Sequence, residues 1–153
     1  MSEPIETRDD GIVLKFADNS DKEAIYAFAL EAIKGASLPA FAEDAGENLQ
    51  ERIETSDAHN VLLAIDTKEA NKIIGFIELD PTRSEEKVTY IRGIYVLREY
   101  RRRGIGQHML RIIRSNTKER RVQLRVHAFT KEGLRFWEDY GFKIHHYSLY
   151  HDA

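Results

Sequence analysis

The chain has 153 residues, of which 42% are apolar, 10% aromatic and 32% charged, and 23 Lys and Arg against 26 Asp and Glu give a formal net charge of -3. That length and apolar content suit a single domain over residues 1–153 with a real core, and they exclude wholesale disorder. With no cysteine and no His-x-x-x-His pair, disulfides, thiolate metal sites and a cysteine nucleophile are excluded and no metal is expected.

The start, Met1 to Asp10, is acidic and lacks an apolar core of a leader, so a frayed segment and a cytoplasmic protein are expected. Ile12 to Phe16 reads as a short strand. Ser20 and Glu23 stand at capping-box spacing, and Ile25, Phe28, Ala29 and Ala32 recur at helical period, which predicts a helix from about Asp21 to Ile33. After Gly35 and Pro39, Phe41, Ala45, Leu49 and Ile53 predict a second helix over 41–54.

The period then changes. Val61 to Ile65 and Ile73 to Leu79 are apolar runs joined by a polar turn, and Lys87 to Val96 is a third strand rich in β-branched and aromatic residues. Gly93 inside that strand marks a bulge or a close backbone approach. Ile105, Met109, Ile112 and Ile113 predict a helix from Gly104, followed by a strand over Val122 to Ala128, a helix over Lys131 to Tyr140 and a last strand over Phe142 to Tyr150. None of the apolar runs is long enough to span a bilayer.

Charge is unevenly placed along this order. From Arg98 to Arg121 there are nine basic and two acidic residues, a local balance of +7, so the remaining chain carries -10. Within that stretch Arg101, Arg102 and Arg103 precede Gly104-Ile105-Gly106-Gln107 at a helix start. Two glycines let backbone approach a ligand, and a helix start offers unpaired N–H groups at the positive end of its dipole. This is a pyrophosphate site by its chemistry. A P-loop would need a Gly-Lys-Ser/Thr ending that does not occur, and a dinucleotide fingerprint would need glycine where Met109 stands.

The six residues Arg101-Arg102-Arg103-Gly104-Ile105-Gly106 resemble the coenzyme A pyrophosphate motif of the GNAT acetyltransferases. The resemblance extends to Ile94–Val96 as the fourth family strand, to Leu124–Val126 as the fifth, and to Trp137-Glu138-Asp139-Tyr140-Gly141-Phe142 as the end of the terminal helix. It implies an α/β (α+β) fold: a mixed, mostly antiparallel central sheet with helices on both faces and strands four and five splayed. It also implies acetyl-coenzyme A as cosubstrate, with pantetheine pairing to the backbone of Ile94, Tyr95 and Val96 and pyrophosphate held by Arg101, Arg102, Arg103, Gly104, Ile105, Gly106 and Gln107. Thr130 stands where the family often has Asn.

Trp137 stands where many members have a Tyr that protonates the departing thiolate. An indole N–H does not release a proton in the useful range, so Trp137 is expected to line the acyl or pantetheine channel, and Tyr140, one turn later, is the nearest substitute acid. Attack by an amine needs a base, for which Glu78 is nominated ahead of Asp80, Glu31 and His127. The first 80 residues hold 18 acidic and 7 basic residues, which suits a cationic acceptor. Alternatives are a sensor that binds acetyl-coenzyme A without transfer and, with less support, a nucleic-acid module using the basic helix. A homodimer is compatible with the sequence, and a membrane partner is not expected.

Overall fold

The computed structural model describes residues 4–34, 51, 54–55, 57–81, 87–117, 121–124, 135, 137–139, 141–144 and 151. Six strands form one sheet in chain order: β1 (Glu6–Thr7), β2 (Ile12–Phe16), β3 (Val61–Asp66), β4 (Lys72–Leu79), β5 (Val88–Val96) and β6 (Arg121–Gln123). Neighbours from β1 to β5 are antiparallel and β6 runs parallel to β5. The sheet is thus mixed and mostly antiparallel, as the sequence implied.

Helix α1 (Lys22–Lys34) and helix α2 (Ile105–Asn116) cover opposite faces. The central strands are buried on both sides, so β3 reads as a continuous apolar run and its alternate residues serve different cores. Leu62 and Ala64 pack in one cluster with Ile105, Met109 and Ile113 of α2, while Val61 and Leu63 pack in the other with Ile25, Phe28 and Ala29 of α1. A bulge between Ala64 and Ile65 leaves Ile74 as the extra residue on β4. That residue flips the alternation, so Ile74 joins the α2 side and Phe76 the α1 side.

Three expectations change. The acidic start is not frayed throughout: Glu6 and Thr7 pair with Leu14 and Val13 of β2 across a turn at Gly11, whose φ of 83 suits glycine. The capping box lies upstream of Ser20, at Asp18 and Asp21, and closes a 3-10 turn (Asn19–Asp21) that feeds α1. The last strand is expected from Phe142, yet Phe142 to Ile144 carry no strand pairing. The helix expected over 41–54 and most of the elements expected after Leu124 lie outside the described residues.

Candidate functional site

Strand β5 leads through a single 3-10 turn (Arg98–Tyr100) into α2. Gly104 is the helix N-cap with φ 75, a left-handed conformation that costs an L-residue about 1–2 kcal/mol. No side chain caps the helix, and the first intrahelical bond runs from His108 N–H to Gly104 carbonyl at 3.0 Å. The N–H groups of Ile105, Gly106 and Gln107 therefore have no acceptor inside the helix. A Cβ built on Gly104 would meet nothing within 4 Å, so the space over this turn is open. Ile105 is buried and packs its side chain in the core, which fixes the helix start. Open space, unpaired donors and the positive helix end fit a pyrophosphate.

The three arginines are exposed but differ in use. Arg101 donates from Nε to Val96 carbonyl at 2.9 Å and lies 5.5 Å over the Tyr95 ring. Arg103 donates to Glu99 carbonyl at 3.1 Å and lies 5.0 Å over Tyr100. Both guanidinium groups thus fold back and stiffen the turn while keeping positive charge beside it. Arg102 sits between them with φ 63.

The turn is braced from elements far away in sequence. Tyr100 hydroxyl donates to Asp66 Oδ2 at 2.7 Å, at the end of β3. Arg8, just after β1, donates to Arg103 carbonyl at 2.7 Å and Gly104 carbonyl at 3.3 Å. Asp10 holds the same guanidinium in an ion pair at 3.1 Å. Burial pushes the Asp10 carboxyl up, but hydrogen bonds from Arg8 and Ile12 N–H, with the Arg8 charge, outweigh it and hold the group below its ordinary value. Sequence reading passed over Arg8, Asp10 and His108 as part of a frayed end or a helix surface. The available signal was Asp10-Gly11, a hairpin-turn pair directly before a strand.

The outer edge of β5 lies on the other side of the site. Among the described residues its parallel ladder to β6 ends at Tyr90 and Gln123, and Leu124 lies off the ladder. Leu97 N–H donates to Ile74 carbonyl at 2.8 Å, so alternation directs the backbone groups of Tyr95 and Gly93 to β4 and those of Ile94 and Val96 away from it. Of the three residues named for pantetheine, Ile94 and Val96 therefore present backbone to the outer edge, whereas Tyr95 contributes its ring, packed on Phe28 and under Arg101. The bulge expected at Gly93 is present: Gly93 pairs with Glu78 and Ile91 with Leu79, leaving Arg92 as the extra residue.

That bulge sets the carboxylates. Arg92 lies 2.7 Å from Asp80 Oδ2 and 3.7 Å from Glu78 Oε2. Asp80 is 1% exposed and serves this pair, and Glu31 is exposed on α1. Glu78 is buried and lines a small cleft with Lys22, Ile25, Ala29, Ala58, Val61 and Phe76. Alternation along β4 puts Glu78 on the same face as Phe76. Trp137 is 1% exposed, in the core with α2 and edge-on to Phe142 at 5.2 Å. Thr130, Tyr140 and His127 lie outside the described residues. Among the described residues no group of three His, Cys, Asp or Glu could hold a metal, and no helix is long and apolar enough to cross a membrane.

Comparison with known proteins agrees with this geometry. The family model described as "Acetyltransferase (GNAT) family" matches residues 25–142. No curated protein sequence matches. The fold is similar to an aminoglycoside N-acetyltransferase, AAC(6')-Iy, in complex with CoA, at TM-score 0.68 and 14% identity over 97% of this chain and 99% of that one. It is also similar to the PaiA N-acetyltransferase of Thermoplasma acidophilum with coenzyme A, at TM-score 0.64 and 22% identity over 87% and 90%. A third similar structure is a predicted acetyltransferase with acetyl-CoA from Clostridium acetobutylicum, at TM-score 0.63 and 19% identity over 92% and 96%.

Proposed function

The chain belongs to the GNAT acetyltransferase family, and on that premise we propose that it moves an acetyl group from acetyl-coenzyme A to a cationic amine by direct attack in a ternary complex. The observation that carries this reading is the uncapped start of α2, with an open space over Gly104, standing just beyond the end of β5. Pyrophosphate is held by N–H groups from Arg101 to Gln107, under the positive field of Arg101, Arg102 and Arg103. The pantetheine amides pair with Ile94 and Val96, with Thr130 supporting the arm from the far side, while Trp137, buried in the core, acts only through packing and not as a lining of the channel.

The acceptor enters by the cleft under α1. Its apolar walls, Ile25, Ala29, Val61 and Phe76, suit an aliphatic stem, and Glu78 meets the ammonium. Glu78 first takes one ammonium proton, which frees the lone pair that forms the new C–N bond, and the second nitrogen proton passes to solvent once that bond is made. As the C–S bond breaks, Tyr140 supplies a proton to sulfur. The thiolate is also a tolerable leaving group unaided, since a free thiol has a pKa of about 8.5.

Coenzyme A release measured across a panel of polyamines, aminoglycosides and basic peptides tests this. Turnover on an aliphatic polyamine is expected, and Glu78→Gln should lower kcat about 100-fold with coenzyme A affinity unchanged. Binding of acetyl-coenzyme A without turnover on any amine would replace the enzyme reading with a sensor.

A further inference from the structure

Arg8 stands 95 residues before the turn it touches, in a segment whose only strand has two residues. Its side chain is 16% exposed, and the guanidinium contacts three different groups of the turn and helix start. One terminal nitrogen donates to Arg103 carbonyl at 2.7 Å. The other lies 3.3 Å from both Gly104 carbonyl and His108 Nδ1. The remaining donors go to Asp10 at 3.1 to 3.3 Å. His108 Nε2 lies beside the Glu6 carboxylate. This set is consistent with one imidazole tautomer, in which Nε2–H donates to Glu6 and Nδ1 accepts from Arg8.

Peptide geometry gives these contacts a consequence. In a trans peptide the carbonyl and the N–H point in opposite directions. The oxygen of Arg103 shares its peptide with the N–H of Gly104, and the oxygen of Gly104 shares its peptide with the N–H of Ile105. The helix bond from His108 N–H already sets the Gly104 carbonyl, whereas Arg8 holds the Arg103 carbonyl, so the guanidinium turns the Gly104 N–H away from itself, on the turn whose Gly104 has open space beside it. Gly104 by itself would not fix this orientation, because glycine has no side chain to lock its left-handed conformation.

We propose that Arg8 is a positioning residue for the coenzyme: its hold on the Arg103 carbonyl, backed by its contact with the Gly104 carbonyl, aims the Gly104 N–H at the pyrophosphate. Asp10 keeps the guanidinium in plane with its targets, and β1 exists in this chain to deliver it. Arg8 does not touch the ligand and acts only through the turn. The inference rests on the reading of this turn as the pyrophosphate site.

The test is an NMR titration of the full chain with coenzyme A and, separately, with pantetheine, which lacks the pyrophosphate. Wild type, Arg8→Ala, Arg8→Lys and Gly106→Val are compared, with amide shifts of Gly104, Ile105 and Ile94 as readouts. Arg8→Ala is expected to weaken coenzyme A about tenfold, the loss of one charge-assisted hydrogen bond's effect. The ligand-induced shift of the Gly104 amide should shrink with it, while pantetheine affinity and the Ile94 shift stay as in wild type. Arg8→Lys keeps the charge but cannot span both carbonyls, so it should recover only part of the loss, and it serves if Arg8→Ala fails to fold.

Coenzyme A affinity within twofold of wild type in Arg8→Lys and Arg8→Ala would overturn the proposal. Equal loss for coenzyme A and pantetheine would overturn it too, by making Arg8 a purely structural residue. Gly106→Val separates the premise from the inference: if that variant binds coenzyme A normally, the turn does not hold the pyrophosphate at all.

Discussion

The Tyr100 hydroxyl and the Asp66 carboxylate change each other. The hydrogen bond to Asp66, with burial and the Asp66 charge behind it, pushes the phenol up to about 12. The same bond, against burial and aided by Lys68 N–H and the Lys68 and Arg103 charges, lowers Asp66 below its ordinary 3.8. A carboxyl lowered by folding stabilises the native state above its ordinary value and loses that contribution as pH falls through the folded value. Tyr100→Phe should therefore melt below wild type at pH 6, and the gap should close as pH is taken below 3.8. A gap that stays constant in thermal melts across that range would mean the phenol acts by packing alone. Residue-scale identity was partly legible: strand alternation placed Glu78 beside Phe76. Its neighbour Arg92 was not legible, because a bulge moves a side chain off the face that its number assigns.

At the scale of elements, hydrophobic period did most of the reading. α2 is the clearest case, with Ile105, Met109, Ile112 and Ile113 predicted and buried. A period marks which face is buried and says nothing about which neighbouring backbone comes close. The contact between β4 and β5 shows the difference: a Cβ on Gly75 would lie 2.9 Å from Tyr95 carbonyl and 3.3 Å from Val96 Cγ2. Gly75→Ala must therefore push the end of β5, the segment whose outer edge carries Ile94 and Val96. A loss of about 1–3 kcal/mol in denaturant unfolding is expected, together with weaker coenzyme A binding. The two-residue β1 shows the reverse limit: it is too short to carry any period, and its pairing with β2 exists only because the Asp10-Gly11 turn brings it back.

Across the whole molecule, a net charge of -3 separates into a +7 segment and a -10 remainder. The positive part coincides with the helix start proposed to receive the pyrophosphate, and the acidic N-terminal half contributes the α1 side of the cleft proposed for the acceptor. Such a field is screened over about 10 Å at 0.1 M salt. Coenzyme A affinity should accordingly fall several-fold between about 50 mM and 500 mM NaCl, while pantetheine affinity should not. Calorimetry at two salt concentrations checks it, and a salt-independent coenzyme A affinity would leave the arginines without a long-range role.

By itself the sequence determined the order of the described elements from Ile12 to Gln123, the two buried faces and the Gly-x-Gly helix start, because each is written in local spacing and local backbone preference. The tertiary structure decided what holds that helix start in place. Arg8 reaches the turn across 95 residues and Tyr100 reaches Asp66 across 34. Arg92 reaches Asp80 over 12, through an irregularity in the sheet. None of these spacings is a helical or strand period, so only the folded sheet, which lays distant segments edge to edge, brings the donors to their acceptors.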